Sequence, residues 1–589
     1  MTLRDLPLSH RVAWGVLVLG TALRVYVAFR AWLPSALWFQ DVAVYREMVA
    51  GILGGRLGAD AWIWTPGYPL VAAPFAYLMG PERALVLASL VGGVAAPALL
   101  LAAGRRSASP RAAAIAAITL TLLPEMVRAS ARPLSEAVAV ALLVGAGVAA
   151  GACLRGGGAR TAAVGGAAGA LAVLARPEIA FAIAAFALLL WRTPRRAAAY
   201  AAGAVVLLAP FVLALHSASG AWGLSLKPQL NAMKNIVYEK EDSYIAKRLA
   251  WGRYEAAELR DTEGNWLPRR IAERGHVGAY VASTAWLDNV KSGLRRSSAE
   301  MTALFVAGLA GLFVLARRRR DELALVVAAL LPLLAAAFFV QILGRFLLVG
   351  APALAWGAGA LLDAGLARFD RRPALAWIVG ATVVTAALVA SAVVSTSSIV
   401  AGRLTELAPE IELLGRAGKV ERAMAATRAW LALEPRNAQV RLLYAEILEN
   451  SGHAEAAGEA IDEAVGLGAP KVEKAQWLLR QGNVKAARGV LDEAGEAEQK
   501  TFGYWSARAQ IAGSERQWQD LGRAAERMLA IDKTSALAHF DMGVALSQLG
   551  DDGGARKHLN AVIQSGDAAN AERAKKVLEY LAKREAAQR

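Results

Sequence analysis

Long apolar segments alternate with short arginine-containing segments over residues 11–399 of the chain. An α-helix needs about 20 mainly apolar residues to cross a bilayer, so this pattern predicts about eleven membrane spans. The predicted spans are 11–31, 83–103, 112–127, 133–153, 161–175, 178–191, 197–217, 298–316, 322–342, 346–363 and 374–399. After Ala401 the pattern changes to short amphipathic helices with charged residues between them. We therefore predict an all-α fold in which a polytopic membrane bundle, residues 1–402, precedes a helical domain, residues 403–589.

The segment 161–191 fits either one long helix or two short ones. One helix would place the Arg155–Arg160 loop and the Arg192–Arg196 loop on opposite sides of the membrane. The concentration of arginine on one side favours a break at Arg176–Pro177, where proline also interrupts a helix. Two short segments that meet at a polar break are tolerated only where the break lines a cavity, so we expect a cavity there.

Arginine is concentrated in alternate loops, and by the positive-inside rule those loops lie in the cytoplasm together with the N-terminus. The arginines concerned are Arg105, Arg106, Arg111, Arg155, Arg160, Arg192, Arg195, Arg196, Arg317 to Arg320, Arg368, Arg371 and Arg372. The longer loops 32–82 and 218–297 then lie outside the cytoplasm, as do the residues after 401. We predict a multi-pass protein of the cytoplasmic (inner) membrane with a periplasmic C-terminal domain.

Small residues recur in the loops of the C-terminal domain, and arginine takes the equivalent place once. The loop positions are Gly418, Gly452, Gly482, Arg516 and Gly550. They define repeats that start near residues 404, 438, 468, 502 and 536, and 34 residues is the period of tetratricopeptide repeats. We predict about five repeats and a capping helix over 568–589. Such solenoids bind peptides or proteins in a concave groove, and a structural or dimerising role is the alternative.

Composition excludes several classes of protein. The chain has 589 residues, of which 56% are hydrophobic, and its mean hydropathy of +0.37 is too high for a soluble protein of this size. Its net charge is +16, but the arginines lie mostly in short loops, which indicates membrane topology and not a nucleic-acid surface. The single cysteine, Cys153, excludes intrachain disulfides and multi-cysteine metal sites. The first apolar segment carries Arg24 and lacks a small-x-small cleavage site, so we expect it to be retained.

The candidate chemistry lies in the segment Trp38 to Leu70, which connects the first two strongly apolar regions. Asp41 precedes apolar residues at helical spacing, so it either caps a short interfacial helix or serves as a general base. Trp64 and Tyr68 belong to an aromatic cluster at headgroup depth, and the two prolines of TPGYP predict an extended turn. A carboxylate among aromatic residues at a membrane surface could meet a lipid-borne polar substrate.

Five sequence elements in the membrane half resemble those of GT-C glycosyltransferases, the multi-pass enzymes that use polyprenyl-phosphate sugars. They are Asp41 with Tyr45 and Ala50, Trp64 to Pro69, RPLSEA (Arg132 to Ala137), LARPE (Leu174 to Glu178) and GRFLLVGAP (Gly344 to Pro352). The resemblance, which is closest to protein mannosyltransferases and aminoarabinose transferases, implies inverting sugar transfer with Asp41 as general base. It also implies that Arg345 binds the donor phosphate, assisted by Arg176 or Arg132. A guanidinium suits that role because it presents a bidentate fork to phosphate and keeps its charge.

Several ionisable side chains gather near the outer face in this topology. Such groups at membrane depth are functional candidates, although the alternative is that they only pair with one another, for example Arg132 with Glu136. Besides Asp41 and the arginines, we expect the residues that shape the acceptor site to be Tyr45, Trp64, Tyr68, Glu136 and Glu178. The aromatic residues of the loop 218–297 either stack on sugars or, as we favour, pack a small subdomain.

The ligand pattern of the membrane half implies no metal site and no cofactor besides the lipid-linked sugar, while metal dependence through the loops stays open. We predict transfer of a sugar from a membrane lipid donor to a protein or peptide bound in the repeat groove. One alternative is the same chemistry on a lipid or envelope glycan. The other alternative is a non-enzymatic membrane scaffold or transporter. A transporter would be expected to have broken helices in two related halves, and the sequence shows only the break at Arg176–Pro177.

Overall fold

The computed structural model describes residues 8–30, 41–104, 110–238, 259, 261, 266–275, 277, 299–318, 320–339, 344–366, 386, 407–408, 411–412, 414–415 and 420–588. These residues form helices and short 3₁₀ turns joined by loops, so the predicted all-α class is confirmed. The chain divides into two compact units, Met1–Leu413 and Leu414–Arg589. The boundary predicted at residue 402 falls outside the described residues and stays a prediction.

The first unit is built from helices that vary widely in length. They are α1 Leu8–Arg30, α2 Asp41–Leu53, α3 Gly67–Gly104, α4 Pro110–Leu122, α5 Pro124–Ala131, α6 Glu136–Leu154, α7 Ala159–Ala175, α8 Ala180–Leu189, α9 Pro194–Ser219, α10 Lys227–Tyr238, α11 Pro268–Arg274, α12 Ala299–Arg318, α13 Arg320–Phe339 and α14 Ala351–Leu366. In the described part of this unit, 3₁₀ turns lie at Ala59–Trp62, Pro177–Ile179 and Gly344–Gly350.

Six helices in the described part of the chain are long and apolar enough to cross a membrane, or seven if the bent pair of α4 and α5 is one span. Helices α7 and α8 occupy two of the predicted spans but are shorter than a full crossing. The predicted span 374–399 lies outside the described residues. The chain therefore has the helices of a multi-pass membrane protein, while the total of about eleven spans stays a prediction.

Helix α7 ends at Ala175, and Arg176 adopts an extended conformation with φ −150° and ψ 104°. Pro177 then opens a 3₁₀ turn that leads into α8. Proline cannot donate a backbone hydrogen bond, and it disfavours helical geometry at the residue before it. The predicted break at Arg176–Pro177 is therefore confirmed.

Helix α3 differs from its prediction in where it begins. The residues Thr65 to Pro69 were expected to form an extended turn, but α3 starts at Gly67 and bends sharply at Gly80, where φ is 78°. Pro81 follows the bend. In a straight helix, positions 68 and 85 would lie about 25 Å apart. The Tyr68 hydroxyl nevertheless donates to the Leu85 carbonyl at 2.6 Å, because the bend folds the first part of α3 back on the second.

Small residues allow the membrane helices to approach one another closely. A Cβ at Gly203 of α9 would lie 2.1 Å from the Ala163 carbonyl oxygen of α7, and one at Gly311 of α12 would lie 1.8 Å from Gly357 of α14. Membrane helices associate through such close packing because lipid provides no hydrophobic drive between them. Cys153 is buried in the core cluster that also contains Tyr68.

The second unit is a succession of paired helices. Its helices are α15 Val420–Leu433, α16 Ala438–Asn450, α17 Ala454–Gly466, α18 Lys471–Arg480, α19 Val484–Asp492, α20 Glu496–Gln499, α21 Phe502–Ser514, α22 Trp518–Ile531, α23 Ala536–Leu549, α24 Asp552–Gln564 and α25 Ala568–Gln588. The repeats predicted to start at 438, 468, 502 and 536 each supply two packed helices. Most of the first half of the repeat predicted at 404 lies outside the described residues.

The loops between the paired helices adopt a left-handed conformation at the positions that set the predicted repeat period. The φ angles are 83° at Gly452, 78° at Gly482 and 91° at Gly550. Arg516, which replaces glycine in one loop, has φ 59° and is the one non-glycine residue with positive φ in the described part of the chain. Helix α25 follows the last pair, where the capping helix was expected.

Candidate active site

Helix α2 holds Asp41 at its first turn, so the predicted short helix after the first apolar segment is present. Val42, Tyr45, Met48 and Val49 are buried along one side of this helix. Their spacing is that of an apolar stripe, and it fixes the rotation of α2 about its axis. Asp41 itself is half-buried at the edge of the packed side.

Trp64 orients the Asp41 carboxylate. The indole Nε1–H donates a hydrogen bond to Oδ1 of Asp41 at 2.6 Å. Trp64 is 9% exposed, and its ring packs at 6.1 Å from that of Trp266. A hydrogen bond to a charged acceptor from a buried, rigid ring restrains the carboxylate more firmly than one from a flexible surface side chain would. The sequence placed these two residues in one loop, and the fold brings them into direct contact across 23 positions.

Tyr45 links Asp41 to the helix core. Its ring meets Tyr68 edge-on, with centroids 5.2 Å apart. Burial raises the pKa of the Tyr45 phenol, the Asp41 charge raises it further, and a hydrogen bond with Ser135 lowers it in part. Tyr45 is therefore a neutral hydroxyl at physiological pH. Tyr68 is fully buried and hydrogen-bonded to the Leu85 carbonyl and to Ser89, and its role in shaping the acceptor site stays a prediction.

Gly67 explains why the TPGYP segment can lie beside the break after α7. A Cβ at Gly67 would lie 2.3 Å from the Ala175 nitrogen and 2.4 Å from the Leu174 carbonyl carbon. Neither atom belongs to a flexible side chain, so any other residue would force the start of α3 away from the end of α7. Glycine at this position brings the Trp64 segment next to Arg176.

Arg176 is the centre of a buried ionic network. Its Nε donates to Oε1 of Glu178 at 2.6 Å and its Nη1 donates to Oε1 of Glu136 at 3.1 Å. Arg176 is 5% exposed and Glu136 is 3% exposed. The pair suggested from the sequence, Arg132 with Glu136, is thus replaced by Arg176 with two glutamates. The reason is that α6 and α7 pack together and present these side chains to each other.

These residues surround one pocket with an empty volume of about 350 Å³. Its lining is formed by Tyr45, Ile63, Trp64, Thr65, Ser135, Ala175, Arg176, Pro177, Glu178 and Lys227. The cavity expected at the Arg176–Pro177 break is therefore present. Asp41 adjoins it through the hydrogen bond to Trp64. The pocket unites parts of three motifs that are far apart in the chain, namely the Trp64, Ser135 and Arg176 segments.

For Arg345 and Arg132, binding of the donor phosphate stays a prediction. Arg345 belongs to the 3₁₀ turn Gly344–Gly350, and its side chain lies outside the described part of the structure. Arg132 follows the last residue of α5, in an extended conformation with φ −98° and ψ 143°, three residues before Ser135 of the pocket. It is half-buried. Arg176 lies in the pocket, but its guanidinium already binds two carboxylates.

Sequence reasoning missed Lys227, the first residue of α10. It lines the pocket together with Arg176 and Glu178. The available signal was its rarity, because Lys227 is the first lysine in the chain. Among the described residues there is no group of three or more histidine, cysteine, aspartate or glutamate side chains that could hold a metal ion.

No protein-family model matches the chain, and no curated protein does either. Among solved structures, the chain is similar to ArnT from Cupriavidus metallidurans bound to undecaprenyl phosphate, at 18% identity and TM-score 0.38, over 78% of this chain and 80% of that one. It is also similar to the oligosaccharyltransferase AglB from Archaeoglobus fulgidus in complex with an inhibitory peptide and a dolichol-phosphate, at 14% identity and TM-score 0.41. That match covers 66% of this chain and 56% of AglB.

A further solved structure corresponds to the repeats. YrrB, a TPR protein with an unusual peptide-binding site, is similar at 19% identity and TM-score 0.23, over 28% of this chain and 88% of that one.

Proposed function

We propose that this protein is an integral-membrane glycosyltransferase. It moves a sugar from a polyprenyl-phosphate donor to an acceptor outside the cytoplasm, and the acceptor is a protein that the repeat unit binds. The observation that carries this proposal is the Asp41 carboxylate, held at 2.6 Å by the Trp64 indole beside a pocket that also contains cationic side chains. The GT-C resemblance of the motifs that meet at this pocket supports the reaction class.

In the proposed mechanism, Asp41 accepts the proton of an acceptor hydroxyl as the hydroxyl oxygen attacks the anomeric carbon of the sugar. The bond between that carbon and the phosphate oxygen breaks, and its electron pair leaves with the polyprenyl phosphate. Direct displacement inverts the configuration of the anomeric carbon. The hydrogen bond from Trp64 orients the Asp41 carboxylate, because the indole N–H donates to one of its two oxygens.

The other side chains of the pocket divide the remaining tasks. Tyr45, which burial keeps neutral, can donate a hydrogen bond to a substrate oxygen. Arg176 holds Glu136 and Glu178 and so fixes the wall of the pocket at the end of α7. Arg345 is proposed to bind the donor phosphate through its guanidinium, with Arg132 assisting.

Asp41→Asn tests the general base. Asparagine keeps a side-chain oxygen for Trp64 but cannot take up the proton, so sugar transfer should fall by about 10²- to 10⁴-fold with little change in stability. The assay is transfer of labelled sugar from a polyprenyl-phosphate donor by the reconstituted protein. Glu47→Gln is the matched control, because Glu47 is an exposed acid of the same helix. Wild-type turnover in the Asn variant would remove Asp41 from the mechanism.

The proposed orientation places Asp41 and the repeats on the same side of the membrane. A reporter fused after Arg403 should be active only outside the cytoplasm, and one fused within Arg317 to Arg320 only inside, because arginine-rich loops stay in the cytoplasm. Activity of both fusions in one compartment would contradict the shared location of the active site and the protein acceptor.

A further inference from the structure

The pocket beside Asp41 is lined by two cationic side chains, and they differ in the ion pairs that they form. Arg176 donates to Glu136 and Glu178, so its single positive charge is balanced by two carboxylates. Lys227 makes no ion pair with any residue in the described part of the chain. Its ammonium is therefore the lining cation that is available to an anionic ligand.

Hydrogen bonds hold the segment of Lys227 against the segment of Trp64. The Ser225 hydroxyl donates to the Ile63 carbonyl at 2.9 Å and accepts the Lys227 backbone N–H at 3.0 Å. The Leu226 N–H donates to the Trp62 carbonyl at 2.8 Å. Ser225 and Leu226 are both buried. Because Trp64 binds Asp41, the same small network fixes the position of Lys227 relative to the proposed general base.

The start of α10 adds to the positive potential at this place. Lys227 is the first residue of this 12-residue helix. The first turn of a helix carries a partial positive charge from the aligned peptide dipoles, which favours anions. An ammonium is a compact point charge that binds phosphate oxygens without needing the planar geometry of a guanidinium.

We propose that Lys227 binds the phosphate of the lipid-linked donor, an inference that rests on the function proposed above. The charged side chains that line the pocket are the cations Lys227 and Arg176 and the carboxylate Glu178. Two further carboxylates contact lining residues, Glu136 at Arg176 and Asp41 at Trp64. Without Lys227, Arg176 alone would face Glu178, Glu136 and Asp41, and a phosphate would be repelled more strongly. Lys227, which has no carboxylate partner among the described residues, thus supplies a cation for an anionic leaving group next to a carboxylate base.

The test is equilibrium binding of a long-chain polyprenyl phosphate to the full-length protein in lipid nanodiscs, with inorganic phosphate as competitor in a second arm. Lys227→Met should bind the lipid roughly 10- to 100-fold more weakly, since hydrogen bonds to charged groups contribute that much. Lys227→Arg, which keeps the charge, should bind within a few fold of wild type. Arg269→Gln removes an exposed cation from the same region and should bind normally.

Labelling of the buried Cys153 by a maleimide reports whether each variant is folded, and Lys227→Gln replaces the methionine variant if that one is not. Unaltered affinity of Lys227→Met or Lys227→Gln for the polyprenyl phosphate would overturn the inference and leave the proposed function intact. A wild-type protein that binds no polyprenyl phosphate would overturn both proposals. Lys227-dependent binding of inorganic phosphate alone would identify an anion site that does not serve a lipid donor.

Discussion

Removal of the Arg176 guanidinium should open the membrane unit at the pocket. In Arg176→Gln, Glu136 and Glu178 lose the guanidinium that binds both of them, while their side chains are only 4% and 11% exposed. Removing one partner of a buried ion pair costs about 3–5 kcal/mol, because an uncompensated charge stays buried. Since 1.36 kcal/mol is a factor of ten, the open form should become roughly 100- to 5,000-fold more populated.

The single cysteine provides the assay for this opening. Cys153 is buried in the same core cluster as Tyr45 and Ile179, which line or adjoin the pocket. The rate of maleimide labelling in detergent therefore follows the population of open protein when opening and closing are fast. Arg176→Gln should accelerate labelling by the factor given above, and should do so without any substrate.

Two further variants decide whether the ionic network is the cause. Arg46→Gln removes a guanidinium that is 42% exposed and lies 3.8 Å from Glu47, so it should change labelling less than about fivefold. Adding Glu136→Gln and Glu178→Gln to Arg176→Gln removes the buried charges together and should restore most of the protection. Equal labelling of Arg176→Gln and Arg46→Gln would refute the argument, as would a triple variant as labile as the single one.

Three other changes test separate parts of the molecule. Gly67→Ala should reduce sugar transfer at least tenfold, because the new Cβ would lie 2.3 Å from the Ala175 nitrogen and would displace the Trp64 segment. Gly15→Ala is the control in the same transfer assay, because a Cβ at Gly15 would have no neighbouring atom within 4 Å. Burial raises the pKa of Asp541 from 3.8 to about 6, and the nearby charge of Arg573 partly offsets this rise. The folded repeat unit therefore binds the Asp541 proton more tightly than the unfolded chain does. It loses stability as the pH rises through about 6. Asp541→Asn should therefore slow hydrogen exchange in α23 at pH 7, and the free energy of protection should rise by at most about 3 kcal/mol. This increase in protection should disappear by about pH 4. An equal increase at both pH values would contradict the prediction. Deleting residues 405–589 should leave donor binding intact and reduce transfer to the protein acceptor, because tethering by the repeats raises the local acceptor concentration to about the mM range. A short acceptor peptide at high concentration should therefore recover part of the rate. Full transfer to the native acceptor by the truncated protein would refute docking by the repeats.

Features that depend on local structure could be predicted from the sequence. The break at Arg176–Pro177 followed from proline geometry together with the arginine pattern, and the structure has it there. The repeat period followed from the loop positions, and Arg516 adopts the positive φ expected of the glycine that it replaces. Periodicity and backbone conformation are set by neighbours in the chain, so they can be inferred without knowing how helices pack.

The contacts between side chains that are distant in the chain could not be predicted from the sequence. The sequence offered Arg132 as an example of a partner for Glu136, but packing of α6 against α7 brings Glu136 to Arg176. The early start of α3 at Gly67 was also missed, since TPGYP favours a turn by local rules and becomes helical where its glycine fits against Ala175. Lys227 reaches the pocket through hydrogen bonds between residues about 160 positions apart. Such contacts depend on the close packing of distant segments, which no local pattern encodes.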